Sequence, residues 1–132
     1  MIGKLNHIAI ATPNLKDAAK TYEDLLGAKV GQPIPQMEHG VTVIFIELPN
    51  TKIELLEPLT PDSPIGKFLK NKGEGVQQIA VKTTDIVSTI NQLQSMGIRM
   101  INDVPVSGAN GTKIAFVHPF STGGVLVELV EH

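Results

Sequence analysis

Four side chains with lone pairs to share, His7, Glu54, Gln78 and Glu128, interrupt runs that are otherwise apolar and strand-like. Their spacing is not arbitrary. Residues 5–27 are LNHIAIATPNLKDAAKTYEDLLG and residues 76–97 are VQQIAVKTTDIVSTINQLQSMG. At an offset of 71 positions His7-Ile8-Ala9-Ile10 falls on Gln78-Ile79-Ala80-Val81, and Asn14-Leu15 falls on Asp85-Ile86. Each copy then closes on a strand with a carboxylate in its middle, Lys52-Ile53-Glu54-Leu55 and Leu126-Val127-Glu128-Leu129. Two copies folded alike bring the four residues to equivalent points about a pseudo-twofold axis. An imidazole, an amide and two carboxylates converging there would make a divalent metal site.

Alternate residues of a strand share a face. His7 therefore shares its face with Ala9 and Ala11, small neighbours that leave room beside the imidazole. Glu54 shares a face with Lys52 and Leu56, and Glu128 with Leu126 and Val130. A carboxylate among such neighbours is costly unless it is paired, hydrogen-bonded or on a metal. Taken singly, each residue has an ordinary structural explanation: a strand histidine is commonly just hydrogen-bonded, and either glutamate could face solvent or pair with Lys52 or Lys113. Repetition at equivalent positions favours the site.

The elements that must position these residues follow from pattern. Residues 4–12 alternate as a strand and turn at Thr12-Pro13-Asn14, with Asn14 placed to N-cap the next element. Leu15, Ala18, Ala19, Tyr22, Leu25 and Leu26 recur at helical spacing until Gly27 stops the helix. Strands are expected over 29–34, 41–48 and 52–56. The Pro- and Gly-rich stretch 58–75 is expected to link the copies, with one short helix around 65–70. In the second copy, strand 76–81 leads to a helix capped by Asp85, with Ile86, Ile90, Leu93 and Met96 as its apolar face and Gly97 at its end. Strands over 98–101, 112–117 and 125–130 follow. The order is βαβββ twice, a single α+β domain over 1–132 with modules at about 4–57 and 76–131. The two modules are expected to pair into one curved mixed sheet around a central cleft, helices outside.

Composition narrows the function. With 132 residues, 42% hydrophobic and 18% charged, the chain is long enough for one buried core. A net charge of −2 without a basic run argues against nucleic acid or anionic membrane surfaces as partners. The absence of cysteine removes disulfides, thiolate ligands and a cysteine nucleophile. The apolar part of the N-terminus is too short for a secretory signal, and no run approaches the length of a membrane span, so the expected location is the cytoplasm. His39, before Gly40, belongs to a turn; His118, before Pro119, fixes another; His132 is uninformative. No Ser-His-Asp arrangement or phosphate-cradling glycine loop occurs, since Gly73-Glu74-Gly75 precedes a strand rather than a helix.

The opening LNHIAIATPNL, the run EHGVTVIFIELPNTKIELLEPL, the segment DSPIGKFLKN and the ending HPFSTGGVLVELVE together resemble the methylmalonyl-CoA epimerase family. That family lies within the vicinal oxygen chelate superfamily of paired βαβββ modules, which also holds glyoxalase I. The resemblance spans nearly the whole chain. It implies metal ligands at His7, Glu54, Gln78 and Glu128, and a divalent ion, cobalt first, with manganese, zinc, nickel and magnesium as alternatives. It also implies a coenzyme A thioester substrate and a homodimer.

The chain departs from the family pattern at four places. Gln77-Gln78 stands where the family carries His-His, and an amide oxygen is a weaker, harder donor than imidazole. Asn110 in Gly108-Ala109-Asn110-Gly111 replaces a histidine, Phe120 after His118-Pro119 replaces a lysine, and Val43 occupies a position where some members have a glutamate base. The expected reaction is epimerisation of 2-methylmalonyl-CoA by 1,1-proton transfer through an enolate, with Glu128 and Glu54 as the catalytic carboxylates. Two alternatives stay open: a glyoxalase I-type lyase acting on a glutathione hemithioacetal, and a metal-free small-molecule binding member of the superfamily.

Overall fold

The computed structural model describes residues 2–132, which divide into two compact units. One runs from His7 to Gln77; the other joins the residues up to Asn6 to Gln78–His132. Each is a βαβββ module, and the described residues form eight strands and three α-helices with both parallel and antiparallel pairings. The expected α+β class and the duplicated order are what the structure has.

In the first unit, strand β1 (Ile2–Ala11) supplies its residues from His7 onward. Helix α1 (Leu15–Leu26) starts because Asn14 is extended, at φ −139°, and its side chain accepts from Asp17 N–H at 3.0 Å. It stops at Gly27, whose φ of 62° only glycine adopts without penalty. On its exposed face Lys20 donates to Asp24 one turn on, which raises the lysine pKa. Strands β2 (Ile34–Gln36), β3 (Val41–Glu47) and β4 (Lys52–Pro58) follow, in the sheet order β2-β3-β4-β1. β4 runs parallel to β1 and antiparallel to β3. Alternation splits the apolar residues between two faces. Ile44, Ile46 and Leu55 pack under Leu15 and Ala18 of α1. Ala9, Ala11, Val41, Val43 and Leu56 form a second cluster on the opposite face.

Helix α2 (Pro64–Lys72) lies within the stretch expected to link the copies, and packs Ile65, Phe68 and Leu69 onto that second cluster. Ser63 caps it by accepting from Gly66 N–H, and Pro64 occupies the first turn, where a missing N–H costs nothing.

The second unit repeats the plan. Strand β5 (Gly75–Thr83) precedes helix α3 (Ile86–Ser95), which Asp85 caps through Ser88 N–H at 3.1 Å. Strands β6 (Val106–Ser107), β7 (Lys113–Val117) and β8 (Leu126–Glu131) complete the order β1-β5-β8-β7-β6, with β8 parallel to β5. Ile86, Ile90, Met100, Ala115, Val117 and Leu129 pack beneath α3.

Two expected strands are corrected. Before Ile34, where β2 begins, the expected strand over 29–34 has the bridge Val30–Ile46 and the bond from Gly31 N–H to the Phe45 carbonyl in place of a regular ladder. Pro33 has no N–H to continue a ladder. Residues 98–101 likewise form one bridge, Met100–Val117, because the Asn102 side chain takes the Phe116 N–H at 2.8 Å and replaces the next backbone partner. The edge strand is instead Val106–Ser107. Among the described residues no helix is long and apolar enough to cross a membrane.

Candidate active site

In the first unit the parallel register of β1 and β4 sets His7 opposite Lys52 and Ala9 opposite Glu54. Residues opposite one another share a face, so His7 and Glu54 emerge on the face of Ala9, Ala11 and Leu56 as parity requires. The small Ala9 between them lets the side chains meet. Glu54 Oε2 lies 2.9 Å from His7 Nδ1, with His7 only 5% exposed. A carboxylate on Nδ1 holds that nitrogen as the protonated one in the neutral ring and leaves Nε2 as the lone-pair nitrogen.

The second unit reproduces the register: Gln78 stands opposite Leu126 and Ala80 opposite Glu128. Gln78 Nε2 donates to Glu128 Oε1 at 2.8 Å, and Glu128 is 8% exposed. With Nε2 directed at the glutamate, Oε1 is the ligand-capable atom of this amide. The buried neighbours on that face are Ala80, Ile114 and Val130. The four sequence-nominated residues thus form two pairs of one design, His7 with Glu54 and Gln78 with Glu128, each pair inside its own unit.

Two residues missed in the sequence belong to the same design. Phe45 stands opposite Glu54 on β3, and Phe116 stands opposite Glu128 on β7, so each acid has an aromatic ring as cross-strand neighbour. The signal was available, because the two phenylalanines share the 71-residue offset. Lys52 also went unassigned. Its Nζ sits 5.4 Å from the centroid of the Phe45 ring.

The remaining candidates have structural roles. His118 Nδ1 accepts from Phe120 N–H at 3.0 Å and caps the short 3₁₀ turn Pro119–Thr122. His39 lies in an exposed turn with Nε2 4.0 Å from Glu38. His132 is bonded to Asn6 Nδ2 at 3.2 Å. Asn110 takes a left-handed conformation, φ 56°, which asparagine tolerates better than most residues. Val43 is fully buried in the core. Gln77 Oε1 is buried with no hydrogen-bond partner among the described residues. A cavity of about 450 Å³ in the second unit, lined by Gly3, Lys82, Thr83, Thr84, Glu131 and His132, contains none of the four.

An imidazole nitrogen, an amide oxygen and carboxylate oxygens are a donor set suited to a hard or borderline divalent cation. Among the described residues no three His, Asp or Glu side chains are grouped so that they could hold a metal ion.

Comparison with known proteins bears on this layout. Residues 6–116 match the model of the Glyoxalase/Bleomycin resistance protein/Dioxygenase superfamily. The chain is 50% identical over 131 residues to the ethylmalonyl-CoA/methylmalonyl-CoA epimerase of Cereibacter sphaeroides, covering 98% of each. It is 48% identical to the mitochondrial methylmalonyl-CoA epimerase of Dictyostelium discoideum, covering 98% of this chain and 79% of that one. The chain belongs to the methylmalonyl-CoA epimerase family. As an epimerase by family it is an enzyme, not a bare binding module. A methylmalonyl-CoA epimerase solved in complex with methylmalonyl-CoA and NH4+ superposes with a TM-score of 0.90 at 32% identity, covering 99% of this chain and 95% of that one.

Proposed function

We propose that this chain interconverts the R and S forms of 2-methylmalonyl-CoA, working as a metal-dependent homodimer. The carrying observation is the pair of carboxylates, Glu54 and Glu128, at equivalent register positions of two copies, each held by a polar partner. The reacting carbon lies between a thioester and a carboxylate, and its proton is weakly acidic. Inversion needs one group to remove that proton and another to return a proton on the opposite face of the planar enolate. A duplicated fold supplies two such groups, one from each copy. Glu54 serves one face and Glu128 the other. His7 orients Glu54 through Nδ1, and the Gln78 amide orients Glu128, so neither acid has to reorganise when the proton moves.

His7, Gln78, Glu54 and Glu128 would hold the divalent ion, cobalt first. Once bound, it would supply Lewis-acid stabilisation of the developing enolate oxygen. A carboxylate that binds an ion tightly is a poorer base, so the two glutamates divide these duties unequally.

Solvent-deuterium wash-in at the α-carbon tests the assignment. Glu54→Gln and Glu128→Gln should each lower kcat by about 10²- to 10⁴-fold, and each should block exchange from one enantiomer more than from the other. Full wash-in by both variants would sink it.

A further inference from the structure

We propose that Lys52 is a further substrate-binding residue, holding the free carboxylate of the acyl group; this rests on the reaction proposed above. Lys52 is opposite His7 in the parallel ladder and two residues before Glu54 on the same face, which places its Cα about 6.6 Å from that of Glu54 along the strand. It is the one lysine or arginine in the strand segments β1 from His7, β2, β3 and β4. Its side chain is partly buried, with the ammonium over the Phe45 ring at 5.4 Å from the centroid, and Phe45 is itself the cross-strand partner of Glu54. The ring therefore holds the cation beside the acid.

Its charge is not spent on the fold. Glu47 stands directly opposite on β3 and is exposed, yet among the described residues Lys52 is in no ion pair. The repeat supplies a control written into the same chain: Leu126 occupies the equivalent place, opposite Gln78. The strand architecture thus accepts an apolar residue there, and the lysine answers to something else. That something is an anion. The substrate brings a carboxylate attached to the reacting carbon into a site whose bases are themselves carboxylates, and like charges must be offset for the complex to form. An ammonium on the site face beside Glu54 does this, and a substrate without the carboxylate has no use for it.

The test uses the full chain and two probes, methylmalonyl-CoA and propionyl-CoA, which differ by that carboxylate. Binding is measured calorimetrically for wild type, Lys52→Met and Lys52→Arg, with Lys52→Gln as a second neutral variant should the Met variant fail to fold. The neutral variants should weaken methylmalonyl-CoA about 10- to 100-fold and propionyl-CoA by less than about threefold, and Lys52→Arg should recover most of the loss. KM for epimerisation should rise in parallel. Equal weakening of both probes, which would assign the charge to the coenzyme A portion, overturns the inference, and so does no weakening of either. Wild-type protein that neither binds nor epimerises methylmalonyl-CoA overturns the proposed reaction instead.

Discussion

A glutamate inside a sheet is tolerable only while something holds its charge, and the two copies solve this differently. Glu54 is met by an imidazole and Glu128 by an amide. Imidazole is the softer donor, so Gln78→His should raise affinity for zinc and nickel on the order of tenfold relative to manganese or magnesium, read by competition with a chromogenic chelator. Beside it, Gln77 buries an acceptor that finds no partner among the described residues. Gln77→Leu should therefore be neutral or stabilising by about 1 kcal/mol in urea unfolding; a loss of more than about 1 kcal/mol would mean the amide has a partner after all. The four candidate residues were legible in the sequence because periodicity and repetition are local properties. Phe45, Phe116 and Lys52 were harder to see, since which residue faces which across a ladder is set by register between distant segments.

The strands that carry the acids also fasten the helices. Glu57 Oε2 accepts from Leu15 N–H at 2.9 Å, and Glu131 Oε1 accepts from Ile86 N–H at 2.8 Å. Each is three residues beyond a candidate glutamate, in Glu54-Leu55-Leu56-Glu57 and Glu128-Leu129-Val130-Glu131. Odd spacing along a strand sends the second glutamate to the opposite face, so one motif puts a carboxylate on the candidate-site face and another at a helix N-terminus. Glu57→Ala and Glu131→Ala should each cost about 1–2 kcal/mol of stability while leaving KM for methylmalonyl-CoA unchanged, as measured by urea unfolding and steady-state kinetics. Gly66 is a second fixed point, because a Cβ there would lie 2.5 Å from the Pro61 carbonyl oxygen and 2.6 Å from that of Thr60. Alanine usually stabilises a helix relative to glycine, but here the obstacle is backbone and cannot rotate away. Gly66→Ala should cost about 1–3 kcal/mol, visible as a lowered urea midpoint. The expected strands at 29–34 and 98–101 misled for a related reason: apolar alternation marks a surface to bury, whereas a ladder also needs donors, which Pro33 lacks and Asn102 intercepts.

At the scale of the whole molecule, the division into units falls inside strands rather than in a linker. β1 gives its residues up to Asn6 to one unit and those from His7 to the other, and β5 is divided between Gln77 and Gln78. Ion binding by the proposed ligand set belongs to this scale too. Cobalt at about 100 times its Kd should stabilise the folded chain by about 2.7 kcal/mol, and His7→Ala should abolish most of that shift. The sequence by itself determined the duplicated βαβββ order, the helix caps at Asn14 and Asp85, and the polar residues nominated for chemistry, because these are written in local period and repeat. Only the tertiary structure decided that His7 meets Glu54, that Gln78 meets Glu128, and that Lys52 lies over Phe45. Those facts depend on strand register, which is fixed by how whole faces pack and not by any short stretch of chain.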